Sequence, residues 1–290
     1  MQNPLPRVAA IHDLSGYGRC SLTVIIPILS TMGFEVCPLP TAVLSTHTGI
    51  EGFKIFDLTE QLPGFINHWK AQNLRFEAIY SGFLGSVEQA DIVSGFIRDF
   101  AGPETLVVVD PVMADFGQLY ASMPPAMIGE MRKLCAQAKV ITPNITEAAF
   151  MLGREVPQSL SESEVKEWLL ALADMGPTMP VITSLPLASK MDRSAVAAYN
   201  GEDKRFWLAG RPLLPTQYHG TGDIFSSVLT GSLLQGDSLP IALDRACHFV
   251  ATAMQITFGY SGLDHHEILL ERSLNALTAP VTYASFELLA

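Results

Sequence analysis

His219-Gly220-Thr221-Gly222-Asp223 runs into the apolar stretch Ile224-Phe225-Ser226-Ser227-Val228-Leu229, so two glycines, a hydroxyl and a carboxylate open a segment that reads as a helix. Glycine lets successive N–H groups turn toward one point, and the helix start adds its positive dipole end. Gly220, Thr221 and Gly222 therefore offer a cradle for a phosphate. Asp223 can cap the helix, and it can equally take a proton from a group held beside that phosphate. Taken alone, the segment fits a capped helix after a glycine turn.

Oxygen donors recur behind short apolar runs. Asp110 and Asp115 follow Leu106–Val109, and Thr142 and Asn144 follow Val140. Glu147 lies three positions after Asn144, on the same face of a helix start. The chain carries 18 Lys+Arg against 29 Asp+Glu, with few cations near these segments, so a phosphate held there would call for metal to supply positive charge. Asp110, Asp115, Asn144 and Glu147 suit a hard cation such as Mg²⁺ that keeps part of its water shell.

Two nucleotide signatures fail. Gly16-Tyr17-Gly18-Arg19-Cys20-Ser21 has serine where a dinucleotide fingerprint needs its third glycine, and the expected acidic residue at the end of the second strand is missing. No Gly-x-x-x-x-Gly-Lys occurs, which excludes a P-loop enzyme. Asp264-His265-His266-Glu267 has metal-ligand residue types, but consecutive helical residues face different ways, so it reads as an exposed polar helix start.

The elements that must carry these groups alternate. Strands are expected at 7–12, 34–39, 78–81, 106–109, 140–142 and 181–183, and helices at 22–32, 58–71, 87–100, 126–138, 146–152 and 161–175. Ser194–Tyr199 and Lys204–Leu208, joined around Asn200-Gly201, read as an antiparallel hairpin at a sheet edge. Helices at 221–234, 240–258 and 264–275 close the chain. The fold class is therefore α/β, a mostly parallel central sheet with helices on both faces and a small antiparallel edge. Ligands of such sheets bind beyond the C-terminal strand ends, which puts His12–Ser21, Thr41–Gly49, Ser81–Ser86, Asp110–Gly117, Thr142–Glu147, Thr183–Ser184 and His219–Asp223 on one rim. With no repeat or linker, residues 1–290 are expected to form one domain.

A net charge of −11 and no basic run argue against nucleic acid or an anionic membrane as partner. Cys20, Cys37, Cys135 and Cys247 are scattered and read as reduced thiols, and residues 1–16 do not resemble a secretory signal. A cytoplasmic location is the expectation.

In order and spacing, Asp110-Pro111-Val112-Met113, Thr142-Pro143-Asn144 with Glu147, and Gly220-Thr221-Gly222-Asp223 resemble the ribokinase-like superfamily. Ser45-Thr46-His47-Thr48-Gly49 and Ser81-Gly82-Phe83-Leu84-Gly85-Ser86 are similar to its pyridoxal kinase branch. The resemblance implies a homodimer that moves the γ-phosphoryl of ATP to the 5′-hydroxymethyl group of pyridoxal, pyridoxine or pyridoxamine. It makes Asp223 the base, with Gly220, Thr221 and Gly222 around the transition-state charge. It places ATP near Asp115, Asn144, Thr183, Ser184 and Thr221, and metal near Asp110, Thr142, Asn144 and Glu147, with K⁺ as a second ion beside Mg²⁺. The substrate ring falls to His47, Thr48 and Phe83, the last standing where many relatives carry tyrosine. Either Asp13 or Ser15 can bond the ring nitrogen or its neighbouring hydroxyl. A serine gives the neutral contact, which is preferred, and an aspartate suits a protonated ring nitrogen. A hydroxymethylpyrimidine kinase of the same superfamily, and a protein that only senses a B6 vitamer, are the alternative readings.

Overall fold

The computed structural model describes residues 5–189, 193–212, 214, 216–260, 267–278 and 285–289. Short apolar runs rich in valine, isoleucine and alanine form the strands: β1 (Arg7–Tyr17), β2 (Glu35–Thr46), β3 (Ile55–Asp57), β4 (Ala78–Ser81), β5 (Leu106–Val109), β6 (Ala114–Asp115), β7 (Gln118–Leu119), β8 (Val140–Ile141), β9 (Met179–Leu185), β10 (Arg193–Asn200), β11 (Arg205–Pro212) and β12 (Glu287–Leu288). The helices are α1 (Leu22–Thr31), α2 (Leu62–Ala71), α3 (Val87–Phe100), α4 (Ala126–Cys135), α5 (Ile145–Leu152), α6 (Glu162–Ala173), α7 (Thr221–Leu234) and α8 (Leu239–Phe258).

Ten strands make one sheet in the order β12-β11-β10-β9-β8-β5-β4-β1-β2-β3. From β9 to β2 every pairing is parallel. The expected hairpin, β10 and β11, is antiparallel at one end, and β12 pairs outside it. The other end also turns antiparallel, through β3. Alternate strand residues feed two cores. Ala9, Ile11, Ile79 and Val109 pack with α2 to α6, while Val8, Ala10, Tyr80 and Val108 pack with α1, α7 and α8.

Caps account for the helix boundaries nearest the rim. Asn144 and Glu147 form a reciprocal capping box on α5, and Ser86 accepts the Gln89 N–H at the start of α3. Helix α7 is buried from Ile224 to Ser232, so its start is held rigidly under the rim.

Two expectations are corrected. The first two strands run past 12 and 39, because β1 and β2 stay paired as far as Tyr17 and Thr46. Between the pairs His12–Pro40 and Leu14–Val43 the register slips: β2 advances three residues while β1 advances two. Asp13 sits at that slip, where a bulge re-aims a side chain. The helix expected at 264–275 falls partly outside the described residues. Its described part instead makes 3₁₀ turns at Leu270–Arg272 and Leu274–Thr278. The backbone there bonds elsewhere: Glu267 bridges to His219, and Leu269 donates to Thr257 Oγ1 at 3.0 Å.

Candidate active site

The start of α7 is built by Gly220, whose φ of 78° is the left-handed conformation glycine allows. A side chain there would also run into the Arg19 carbonyl oxygen, so the loop from Gly18 to Ser21 lies directly over the Gly-Thr-Gly-Asp turn. Thr221 steadies the turn by donating its hydroxyl to the Tyr218 carbonyl at 3.3 Å.

Asp223 is half-buried, and its Oδ2 accepts the Ser21 N–H at 2.8 Å. Removal from water, with Asp110 and Asp13 nearby, pushes its carboxyl up to about 7, against the lowering effect of the Ser21 donor. A carboxylate poised there can accept a proton near neutrality.

Asp13 is buried on β1. Its Oδ1 accepts the Ser21 hydroxyl at 2.5 Å and its Oδ2 the Ser15 hydroxyl at 3.3 Å. Burial raises its pKa, while those two hydroxyls and His47 oppose the rise. Ser15 thus spends its donor on Asp13, and Asp13 is the group whose charge reaches both His47 and Asp223. His47 is buried and accepts the Gly49 N–H on Nδ1 at 3.1 Å. Thr48 is exposed beside it. Phe83 is half-buried, packed on the α2–α6 side of the sheet.

Behind Asp223, Asp110 is buried at the end of β5. Ser226 donates to its Oδ2 at 3.1 Å, and Ser226 and Thr142 share a hydroxyl–hydroxyl contact of 2.9 Å. Burial raises the Asp110 carboxyl to about 7 despite both hydroxyls. Glu147 is pushed well above the carboxylate range, by burial first and then by Asp110. Two neighbouring buried carboxylates resist ionising together without a counter-charge, and a cation beside Asp110 and Thr142 would supply it, so these oxygens suit one. Glu147 is itself engaged by backbone: Oε1 accepts from Met113 at 3.0 Å and Ala114 at 3.4 Å, and Oε2 from Asn144 at 2.8 Å. Asn144 donates to the Ala114 carbonyl at 2.8 Å and accepts the Glu147 N–H at 2.9 Å. These two side chains therefore shape the 110–117 loop. Asp115 lies half-buried on that loop, its Oδ1 accepting the Phe116 N–H at 2.8 Å. Across from it, Thr183 bridges to Asn144, and the exposed Ser184 holds a φ of 55°. Left-handed backbone on a non-glycine residue is costly and tends to occur where a loop serves a ligand.

The phosphomethylpyrimidine kinase family model matches residues 10–266. The chain belongs to that family. Among solved structures, the chain is similar to a candidate phosphomethylpyrimidine kinase of Bacteroides thetaiotaomicron, solved with pyridoxal, which is 50% identical with a TM-score of 0.95 over 98% of this chain and 99% of that one. Lactobacillus plantarum pyridoxal kinase is 32% identical with a TM-score of 0.87, covering 94% of this chain and 96% of its own. By sequence, pyridoxal kinase PdxY of Rubrobacter xylanophilus is 26% identical over 94% of both chains. The fold is the ribokinase-like one that the motifs implied.

Three residues that sequence reasoning does not single out join this candidate site. Ser226 lies three residues after Asp223, one helical turn along the same face, a signal that was available. Ser21 joins Asp13 to Asp223 through its hydroxyl and its N–H, and no local pattern announces it. Glu267 belongs to the stretch that reads as an exposed helix start; residues 264–266 lie outside the described residues, but Glu267 is tucked against His47, Nε2 to Oε1 3.5 Å. Among the described residues no group of three or more His, Cys, Asp or Glu could hold a metal ion, and no helix is long and apolar enough to cross a membrane.

Proposed function

We propose that this chain transfers the γ-phosphoryl group of ATP to the 5′-hydroxymethyl group of pyridoxal, pyridoxine or pyridoxamine. The observation that carries the reading is Asp223: a carboxyl raised to about 7, at the start of α7, with the Gly220–Gly222 turn on one side and Asp13 on the other. Asp223 takes the proton of the substrate hydroxyl. That oxygen then bonds the γ-phosphorus as the bond to the β,γ-bridging oxygen breaks, and ADP leaves. N–H groups of Gly220, Thr221 and Gly222 meet the charge that develops, a role in which one donor is worth about 3–4 kcal/mol.

Asp13 and His47 hold the pyridine ring, with Thr48 and Phe83 at its margins and Ser15 behind Asp13. Asp115, Thr183, Ser184 and Thr221 face the nucleotide. Asp110 would hold Mg²⁺, and Thr142 with Asp110 a monovalent ion such as K⁺, while Asn144 and Glu147 keep the adjoining loop in shape. The bound cations supply positive charge to the phosphates.

Residues 1–290 act as one kinase domain, a reading supported by the sheet that collects strands from Arg7 to Leu288. A homodimer is supported by exposed Val43, Ile55 and Phe56 along the β2–β3 edge. Four free cysteines suit the cytoplasm.

The shared family description favours one second reading, phosphorylation of a hydroxymethylpyrimidine. Purified protein with MgATP and either pyridoxal or the pyrimidine alcohol decides. Phosphorylated pyridoxal is expected; transfer to the pyrimidine alone would establish the second reading, and transfer to neither would leave a vitamer sensor.

A further inference from the structure

Three distant segments meet over the loop that carries Ser21. His47 comes from the end of β2, His219 from just before α7, and Glu267 from the chain beyond α8. The imidazoles of His47 and His219 lie 4.7 Å apart, tilted by 39°. A side chain at Gly49 would meet His219 Cε1 at 2.7 Å and His47 Cε1 at 3.0 Å, and one at Gly18 would meet Glu267 Oε1 at 3.1 Å as well as the His47 ring. The cluster therefore fills the space that two glycines leave.

Glu267 is joined to both histidines. Its backbone bridges to His219, the residue immediately before the catalytic turn. Its Oε1 is buried and faces His47 Nε2 at 3.5 Å, a close approach rather than a formed hydrogen bond, and among the described residues neither of the two buried atoms has another hydrogen-bond partner. His47 Nδ1 accepts the Gly49 N–H, so the single proton of a neutral ring sits on Nε2, the nitrogen turned to Glu267. Four residues further on, Glu271 holds the Arg19 guanidinium, with Nε at 2.7 Å, so the same segment also grips the Gly18–Ser21 loop.

We infer that Glu267 is a positioning residue for substrate: its carboxylate fixes the His47 ring against the pyridine site, and its backbone ties that ring to the Gly220–Asp223 turn. The inference rests on the B6-kinase reading for its effect on pyridoxal binding, but not for its effect on His47. A carboxylate second to an imidazole fixes ring orientation and tautomer, as it does for metal-bound histidines. Glu267 touches no reacting atom in this scheme, so it acts on binding of the vitamer and not on ATP.

Glu267→Ala and Glu267→Gln test it, each compared with wild type for melting temperature, KM for pyridoxal and for ATP, kcat, and the imidazole ¹H–¹⁵N correlations of His47. The alanine variant is expected to raise KM for pyridoxal about tenfold, as the buried His47 Nε2 loses the carboxylate that faces it, with kcat and KM for ATP far less affected. Its His47 proton should redistribute between the two ring nitrogens. Glutamine keeps an acceptor and should restore both readouts to near wild type. In a His47→Ala background, Glu267→Ala should add nothing to KM. The inference is overturned if folded Glu267→Ala keeps the wild-type KM and His47 pattern, if glutamine fails to rescue, or if the two alanine effects add. A wild-type protein that leaves pyridoxal unphosphorylated would refute the B6 reading, and the His47 correlations would still decide the role of Glu267.

Discussion

Asp223 Oδ2 accepts the N–H of Ser21 at 2.8 Å across 202 residues of chain. Ser21 also gives its hydroxyl to Asp13, so one serine joins the proposed base to the proposed ring-binding carboxylate. The backbone that allows this has a φ of 51° at Ser21, a conformation retained because the loop is pinned between the α7 turn and the C-terminal segment.

Asp223→Asn keeps the volume and a capping oxygen but removes the proton acceptor. Turnover should fall by about 10²–10⁴ while ATP and pyridoxal still bind, measured by steady-state kinetics and calorimetry. In the wild type the active form is the carboxylate. With its pKa up at about 7, kcat/KM should rise with pH through neutrality and level off above it. A profile already flat at pH 6 would contradict that assignment.

Asp13→Asn and Ser15→Ala separate the two candidates for the ring. Asp13 carries the charge near His47, and Ser15 only donates to it. The asparagine variant should raise KM for pyridoxal strongly and the alanine variant only weakly. Equal KM effects, or the reverse order, would return the contact to Ser15.

Glu147→Gln should act on the loop more than on the Mg²⁺ curve. Three backbone N–H groups point at its two oxygens, and an amide nitrogen would confront at least one of them. The expected cost is about 1–3 kcal/mol of stability, read by denaturant unfolding, together with lost activity that excess Mg²⁺ does not restore. Recovery of full activity at high Mg²⁺ would make Glu147 a cation ligand instead.

Asp110→Asn should stabilise the metal-free protein at alkaline pH. An aspartate raised from 3.8 to about 7 holds its proton in the folded state over a range where the unfolded chain has lost it. Its contribution to stability is thus fully present below pH 4 and is lost as pH rises toward 7. The asparagine carries no such charge and still accepts the Ser226 and Thr142 hydroxyls. In chelator at pH 8 its melting temperature should exceed that of wild type, and kinase activity should be lost. An equal or lower melting temperature would mean that the Asp110 charge costs nothing.

The alternation of apolar strands and helices, the Asn144–Glu147 spacing and the turn before α7 were legible from the chain itself. Each depends on residues within a few positions of one another, through side-chain period, capping and the freedom of glycine. That is also why the sheet, with helices on both faces and its hairpin edge, followed from sequence. Folding decided what distance along the chain concealed. Asp13 took its place because the β1–β2 register slips there, and a slip belongs to a pair of strands rather than to either one. Ser226 reached Asp110, and Glu267 reached His47, only because buried helices and the returning C-terminal segment brought them together. The same packing turned Glu147 toward three backbone donors. Its residue type suited a metal as well as a cap, and the position of its neighbours settled which donors it meets.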